Sequence, residues 1–123
     1  MRRRSTPRRT GRLSRVSEQI RRELADILRR DVRDPRVAGI TLTDVELSSD
    51  YGHAVVFFSC LDARQVSAAA EGLGHAAGFL RSQLAQRVKL YATPNLRFVY
   101  DESIERGDRL SRLIDGLRDP SGG

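Results

Sequence analysis

Arg12, Arg15, Arg21, Arg22, Arg29, Arg30, Arg81, Arg87 and Lys89 are the residues of this chain whose type and spacing suit one chemistry, the neutralisation of phosphate. A guanidinium holds phosphate oxygens two at a time, stacks on exposed bases and stays charged at any physiological pH. Of the 22 basic residues 21 are arginine, and the formal net charge is +6, so an acidic polymer is the first partner to consider. The excess is local. Seven arginines and no acid fall within residues 1–15, and the rest of the chain is nearly neutral.

Catalysis has little to work with. Only His53 and His75 could serve as general bases near neutral pH, and neither stands with a serine or cysteine and an acid at the spacing of an activated nucleophile. Asp44 and Glu46 project to one side of a regular strand, where a solvated polar face is the ordinary reading. The sequence has no Cys/His ligand set, no P-loop and no dinucleotide-binding glycine pattern. Cys60 has no second cysteine to pair with and reads as a small buried apolar residue. We therefore expect no enzyme activity, no metal, no cofactor and no small-molecule substrate.

The elements that position the arginines follow from apolar periodicity. Residues 1–12 lack a hydrophobic residue between Met1 and the end of the segment except Pro7, and read as a flexible basic arm. From Leu13 the stripe Leu13, Val16, Ile20, Leu24, Ile27 and Leu28 predicts a helix to about Val32, with Ser14 or Ser17 as its cap. Glu18, Arg22, Asp26 and Arg30 alternate in sign at spacings of four on another face. Asp34-Pro35 ends the helix. Ile40 to Leu47 and Ala54 to Leu61 read as a hairpin across the turn residues Ser48 to Gly52, the second strand apolar on both faces and hence central or covered. Tyr51 and Tyr91 stand near strand ends, where an aromatic either packs or stacks on a base.

Asp62 with Gln65 resembles a capping box that opens a further helix. Gly72, Gly74 and Gly78 then interrupt it. Each glycine costs about 1 kcal/mol relative to alanine inside a helix, so two helices are expected to meet at a kink near Gly78. The second of them places Arg81 in its first turn, where phosphate meets both the side chain and free backbone N–H groups. Leu96 to Tyr100 reads as a third strand, and a helix capped by Ser103 reaches Leu117 before a loose tail, residues 118–123. The expected domain spans residues 13–117 with the order α-β-β-α-kink-α-β-α: an α+β layer, helices on one face of a three-stranded sheet. No run is long and apolar enough for a signal peptide or a membrane span, which points to the cytoplasm.

That order matches a type II KH-like domain, and several segments are closer than fold level. RVSEQIRRELADILRRDVRDPRV (15–37), ITLTDVELSSDYGHAVVFFS (40–59) and HAAGFLRSQLAQRVKLYATPNLRFVYDESIERGDRL (75–110) resemble the ribosome-binding factor A family, over about residues 13–114. The resemblance implies a KH-type fold in which an Ala-x-Gly kink, here Ala76-Ala77-Gly78, replaces the usual GxxG loop. It also implies a monomer that binds the free 30S ribosomal subunit and its 16S rRNA, assists late maturation including 5′-end processing, supports growth in the cold and leaves before translation. A DNA-binding or protein-binding module of the same fold is the alternative.

Overall fold

A computed structural model of the chain describes residues 11–90 and 92–102. Helix α1, Gly11–Asp31, places Ile20, Leu24 and Ile27 at zero exposure, the stripe its periodicity predicts. Burying each such side chain stabilises the fold by about 1.5–3 kcal/mol. The helix starts before Leu13, and neither Ser14 nor Ser17 caps it; Ser17 lies on the buried face, one turn before Ile20. Beyond Asp31 the Asp34 carboxylate caps a short 3-10 turn, Pro35–Val37, by accepting from the Arg36 N–H at 3.0 Å. Proline suits the first position of that turn because it has no N–H to leave unpaired. Gly39 then takes a φ of +89°, a left-handed conformation that side chains resist, and turns the chain into the sheet.

The sheet has the order β1-β2-β3, with β1 (Ile40–Leu47) antiparallel to β2 (His53–Cys60), and β3 (Asn95–Tyr100) parallel to β2. The apolar second run is the central strand, as its two-sided pattern predicts. Strict alternation along β1 would send Ile40 and Leu42 to one face but Val45 and Leu47 to the other. A bulge at Thr43 resolves this: Leu42 pairs with Phe58 and Asp44 with Phe57, so Thr43 is the extra residue. The phase shifts by one, and Leu42, Val45 and Leu47 all reach the core. The bulged Thr43 hydroxyl donates to the carboxylate of buried Asp101 at 2.6 Å, and the Asp101 N–H donates to the Phe58 carbonyl at 2.7 Å.

Between β2 and β3 the chain makes a 3-10 turn, Ala63–Gln65, capped by Asp62 through the Arg64 N–H, and then α2, Val66–Arg87. The two helices expected on either side of a kink are one: the backbone is α-helical through Ala76, Ala77 and Gly78. Ala69, Leu73, Leu80 and Leu84, all at zero exposure, lie along its buried face, so tertiary packing outweighs the helix penalty of the glycines. Helices α1 and α2 pack on each other, α1 also on β1 and α2 on β3. Both lie on the sheet face that carries Ala54, Val56, Phe58, Leu96 and Phe98. The helix expected over 103–117 lies outside the described residues.

Candidate nucleic-acid interface

The arginines divide by what they touch. Arg21 donates to both carboxylate oxygens of Glu18, at 2.6 and 3.0 Å, and to the Leu42 carbonyl at 3.4 Å. The Glu18 carboxyl is held below its ordinary range, first by that hydrogen bond. Arg87 reaches from the end of α2 to Glu23 at 3.0 Å and Asp26 at 2.8 Å on α1. Arg29 and Arg30 close on the same Asp26 at 2.7 and 3.0 Å. The Arg87 hydrogen bond is the main cause that lowers the Asp26 pKa, and Arg30 and Arg29 add to it. These four arginines therefore join elements or complete ion pairs on α1. Of the alternating pairs, Asp26 with Arg30 forms, whereas Glu18 takes Arg21 in place of Arg22.

Arg81 differs most from expectation. It stands well inside a continuous helix, so its own N–H is committed within the helix and no helix start is available to an anion there. Its guanidinium donates to the carbonyls of Pro94 at 3.1 Å and Thr93 at 2.9 Å, clasping the segment that leads into β3. The Asn95 N–H, bonded to the Gly52 carbonyl at 2.9 Å, starts the β2–β3 ladder just beyond the clasp. Arg81→Gln is expected to lower stability by about 1–3 kcal/mol, because two carbonyls lose a charged donor. Urea unfolding reads the loss, and faster exchange of the Asn95 amide localises it; unchanged exchange there would remove the clasp from the account.

Arg12, Arg15 and Arg22 share a face of α1 with Gln19 between them, at spacings of three and four. All three are exposed, as is Lys89 beyond the end of α2, and among the described residues none of the four forms an ion pair or side-chain hydrogen bond. Arg12 lines two adjoining grooves. One runs along α1 past Arg15, Glu18, Gln19 and Arg22. The other, of about 490 Å³, lies between Arg12, the β1–β2 turn with Tyr51, and Lys89. The fold thus brings residues 12 and 89 to one rim, which no local pattern shows. Arg97, exposed on β3, is a further cation without an ion pair among the described residues. Alternation along β3 was its only sequence signal, since Leu96 and Phe98 face the core. Tyr91 lies outside the described residues.

His75, one of two candidate general bases, is engaged structurally: its Nδ1 accepts from the Arg36 guanidinium at 3.0 Å. Arg36 also pairs with Asp34 at 2.7 Å and with Glu71 at 3.2 Å, so the Asp34-Pro35-Arg36 run ties the exit of α1 to α2. The Arg36 side chain, followed by its backbone N–H, holds the Asp34 carboxyl down at about 2 from an ordinary 3.8. Because the folded-state pKa is the lower one, this contribution to stability is complete above the ordinary value and fades as pH falls toward 2. Asp34→Asn is expected to flatten the acid limb of the stability profile in that window while leaving its slope above pH ~5 unchanged. Thermal midpoints measured across the range test this, and an acid limb as steep as in the parent protein would refute it. His53 is exposed at the start of β2. Among the described residues no group of His, Cys, Asp and Glu could hold a metal ion, and no helix is long and apolar enough to cross a membrane.

The fold built on this face has known counterparts. A crystal structure of ribosome-binding factor A from Thermus thermophilus superposes with a TM-score of 0.67 at 27% identity, covering 74% of this chain and 97% of that one. A Thermus thermophilus ribosome-binding factor A fitted into a cryo-electron-microscopy map of a 30S complex aligns at 0.61 with 26% identity, covering 73% and 96%. The domain is accordingly an α+β domain of the KH-like type. In sequence, ribosome-binding factor A of Azoarcus sp. (strain BH72) is 54% identical over 110 residues, which is 89% of this chain and 87% of that protein. The family profile described as ribosome-binding factor A matches residues 12–114, and the chain belongs to that family, one of ribosome-associated factors.

Proposed function

We propose that this protein binds the free 30S ribosomal subunit and assists late maturation of its 16S rRNA, including processing of the 5′ end, through RNA binding alone. The observation that carries the reading is the set Arg12, Arg15, Arg22 and Lys89, four exposed cations not consumed by the fold, on a member of the ribosome-binding factor A family. Cations not committed to internal pairs displace counterions from phosphate without first giving up a partner. Arg29 and Arg30, whose side chains stay 71% and 66% exposed beside Asp26, extend the surface along α1. The protein acts by occupancy as a monomer in the cytoplasm: it holds rRNA segments in one arrangement, and its departure marks completion. Ala76, Ala77 and Gly78 contribute a part of α2 without bulk, past which rRNA backbone can run.

Sedimentation of cell extract tests the proposal. The protein is expected to travel with 30S particles and not with translating ribosomes, and its depletion to leave 16S rRNA with an unprocessed 5′ end, most visibly in the cold. Sedimentation with the nucleoid, or normal 16S ends after depletion, would overturn it.

A further inference from the structure

We infer that the groove between Arg12, Tyr51 and Lys89 is a subsite for one unpaired RNA base carrying an exocyclic amino group, with the flanking phosphates on Arg12 and Lys89. This rests on the RNA-binding reading above and deepens it. The groove, at about 490 Å³, has room for a nucleobase, and its wall combines an aromatic ring, two cations and one carboxylate. Tyr51 is half-buried, packed on the core while lining the groove, so part of its ring is fixed and part is presented. Stacking on such a ring accepts any base and is the ordinary way a single strand is held.

The β1–β2 turn fixes that ring before anything binds. Tyr51 has a φ of +65°, unusual for a residue with a side chain. The turn over-determines it: the Tyr51 N–H donates to the Ser48 carbonyl at 2.9 Å, the Ser48 N–H to the His53 carbonyl at 2.8 Å, and the His53 N–H to the Ser48 hydroxyl at 3.0 Å. Asp50 completes the network, its Oδ1 accepting from the Ser48 hydroxyl at 2.7 Å and from the Gly52 N–H at 2.9 Å. Those bonds hold its carboxyl below the usual range, the Ser48 one foremost, so it is an anion at neutral pH.

The charge pattern sets which part of a nucleotide goes where. An anionic Asp50 on the groove wall repels phosphate, which leaves the phosphates to Arg12 and Lys89. The Ser48 and Gly52 hydrogen bonds both fall on Oδ1, so Oδ2 keeps a lone pair to accept from an amino group. Adenine, cytosine and guanine each have one; uracil does not. A charged acceptor that a bound base covers without supplying a donor penalises the base that lacks the group.

The test uses the full chain and short single-stranded RNAs, oligoadenylate with one 2-aminopurine and oligouridylate. Oligoadenylate is expected to bind with quenched 2-aminopurine fluorescence, and about tenfold or more tighter than oligouridylate. Tyr51→Asn, a residue at ease at positive φ, is expected to abolish the quenching and weaken binding about 10- to 100-fold, whereas Tyr51→Phe retains both. Equal affinity for the two oligonucleotides, or unaltered quenching in Tyr51→Asn, overturns the subsite while leaving salt-dependent RNA binding standing. Absence of any RNA binding by the parent protein, with 30S particles included, overturns the functional proposal and the subsite together.

Discussion

Replacing Arg12, Arg15, Arg22 and Lys89 together by glutamine is expected to weaken RNA binding by about two to three orders of magnitude at low salt and to flatten its salt dependence. For single-stranded RNA each lost phosphate contact removes roughly 0.7 from the slope of log affinity against log salt, so four contacts remove about 3. Stability should hardly change, because all four side chains are exposed and free of ion pairs among the described residues, and glutamine is about as good a helix former as arginine. A matched variant, Arg21→Gln with Arg87→Gln, separates charge from site. It removes two positive charges that are spent on Glu18, Glu23 and Asp26, so it should lower the melting temperature while changing the salt slope by less than about 1. Filter binding over a salt series with melting curves on the same samples decides the matter. If the Arg21/Arg87 pair governs affinity and the fourfold variant binds like the parent, the interface lies on the other side of α1.

Short-range pattern carried much of the fold. The α1 stripe from Leu13 to Leu28 repeats at helical spacing over about four turns, and each of its deepest members is where periodicity puts it. The central place of β2 follows from apolar residues on both of its faces. What failed depends on partners distant in sequence. The bulge at Thr43 makes sense only once Leu42, Val45 and Leu47 are asked to face one core, a demand that a single strand cannot express. That Arg87 is paired was hidden because its acids, Glu23 and Asp26, belong to another helix. Arg81 looked like a residue at a helix start because glycines nearby were read as a break, and its true partners are carbonyls of the segment before β3. Family resemblance supplied the fold and the class of partner; it did not sort structural arginines from available ones. That sorting needs the ion pairs.

The glycines of α2 offer the sharpest check, since one residue type should respond with opposite signs within one helix. A Cβ on Gly72 would lie 2.9 Å from Val37 Cγ1 and 3.1 Å from Arg36 Cβ. Neither neighbour yields cheaply, because Val37 is a stiff, buried, β-branched residue and Arg36 is anchored by Asp34, Glu71 and His75. Gly72 thus permits the turn at Pro35–Val37 to seat on α2, and overpacking it should cost about 1–3 kcal/mol, more than the helix propensity gained. Gly74 and Gly78 have nothing within 4 Å of the same position and lie in helical backbone. Alanine at either should stabilise the protein by up to about 1 kcal/mol, worth several degrees in melting temperature for a domain of this size. Gly72→Ala is therefore expected to melt below the parent, and Gly74→Ala and Gly78→Ala above it. Gly78→Ala has a second readout. If small size at residue 78 serves rRNA backbone passing close to α2, the variant gains stability and loses affinity for 30S particles. A Gly78→Ala protein that is destabilised would instead mean that α2 breaks at this glycine after all, and would restore the two-helix reading.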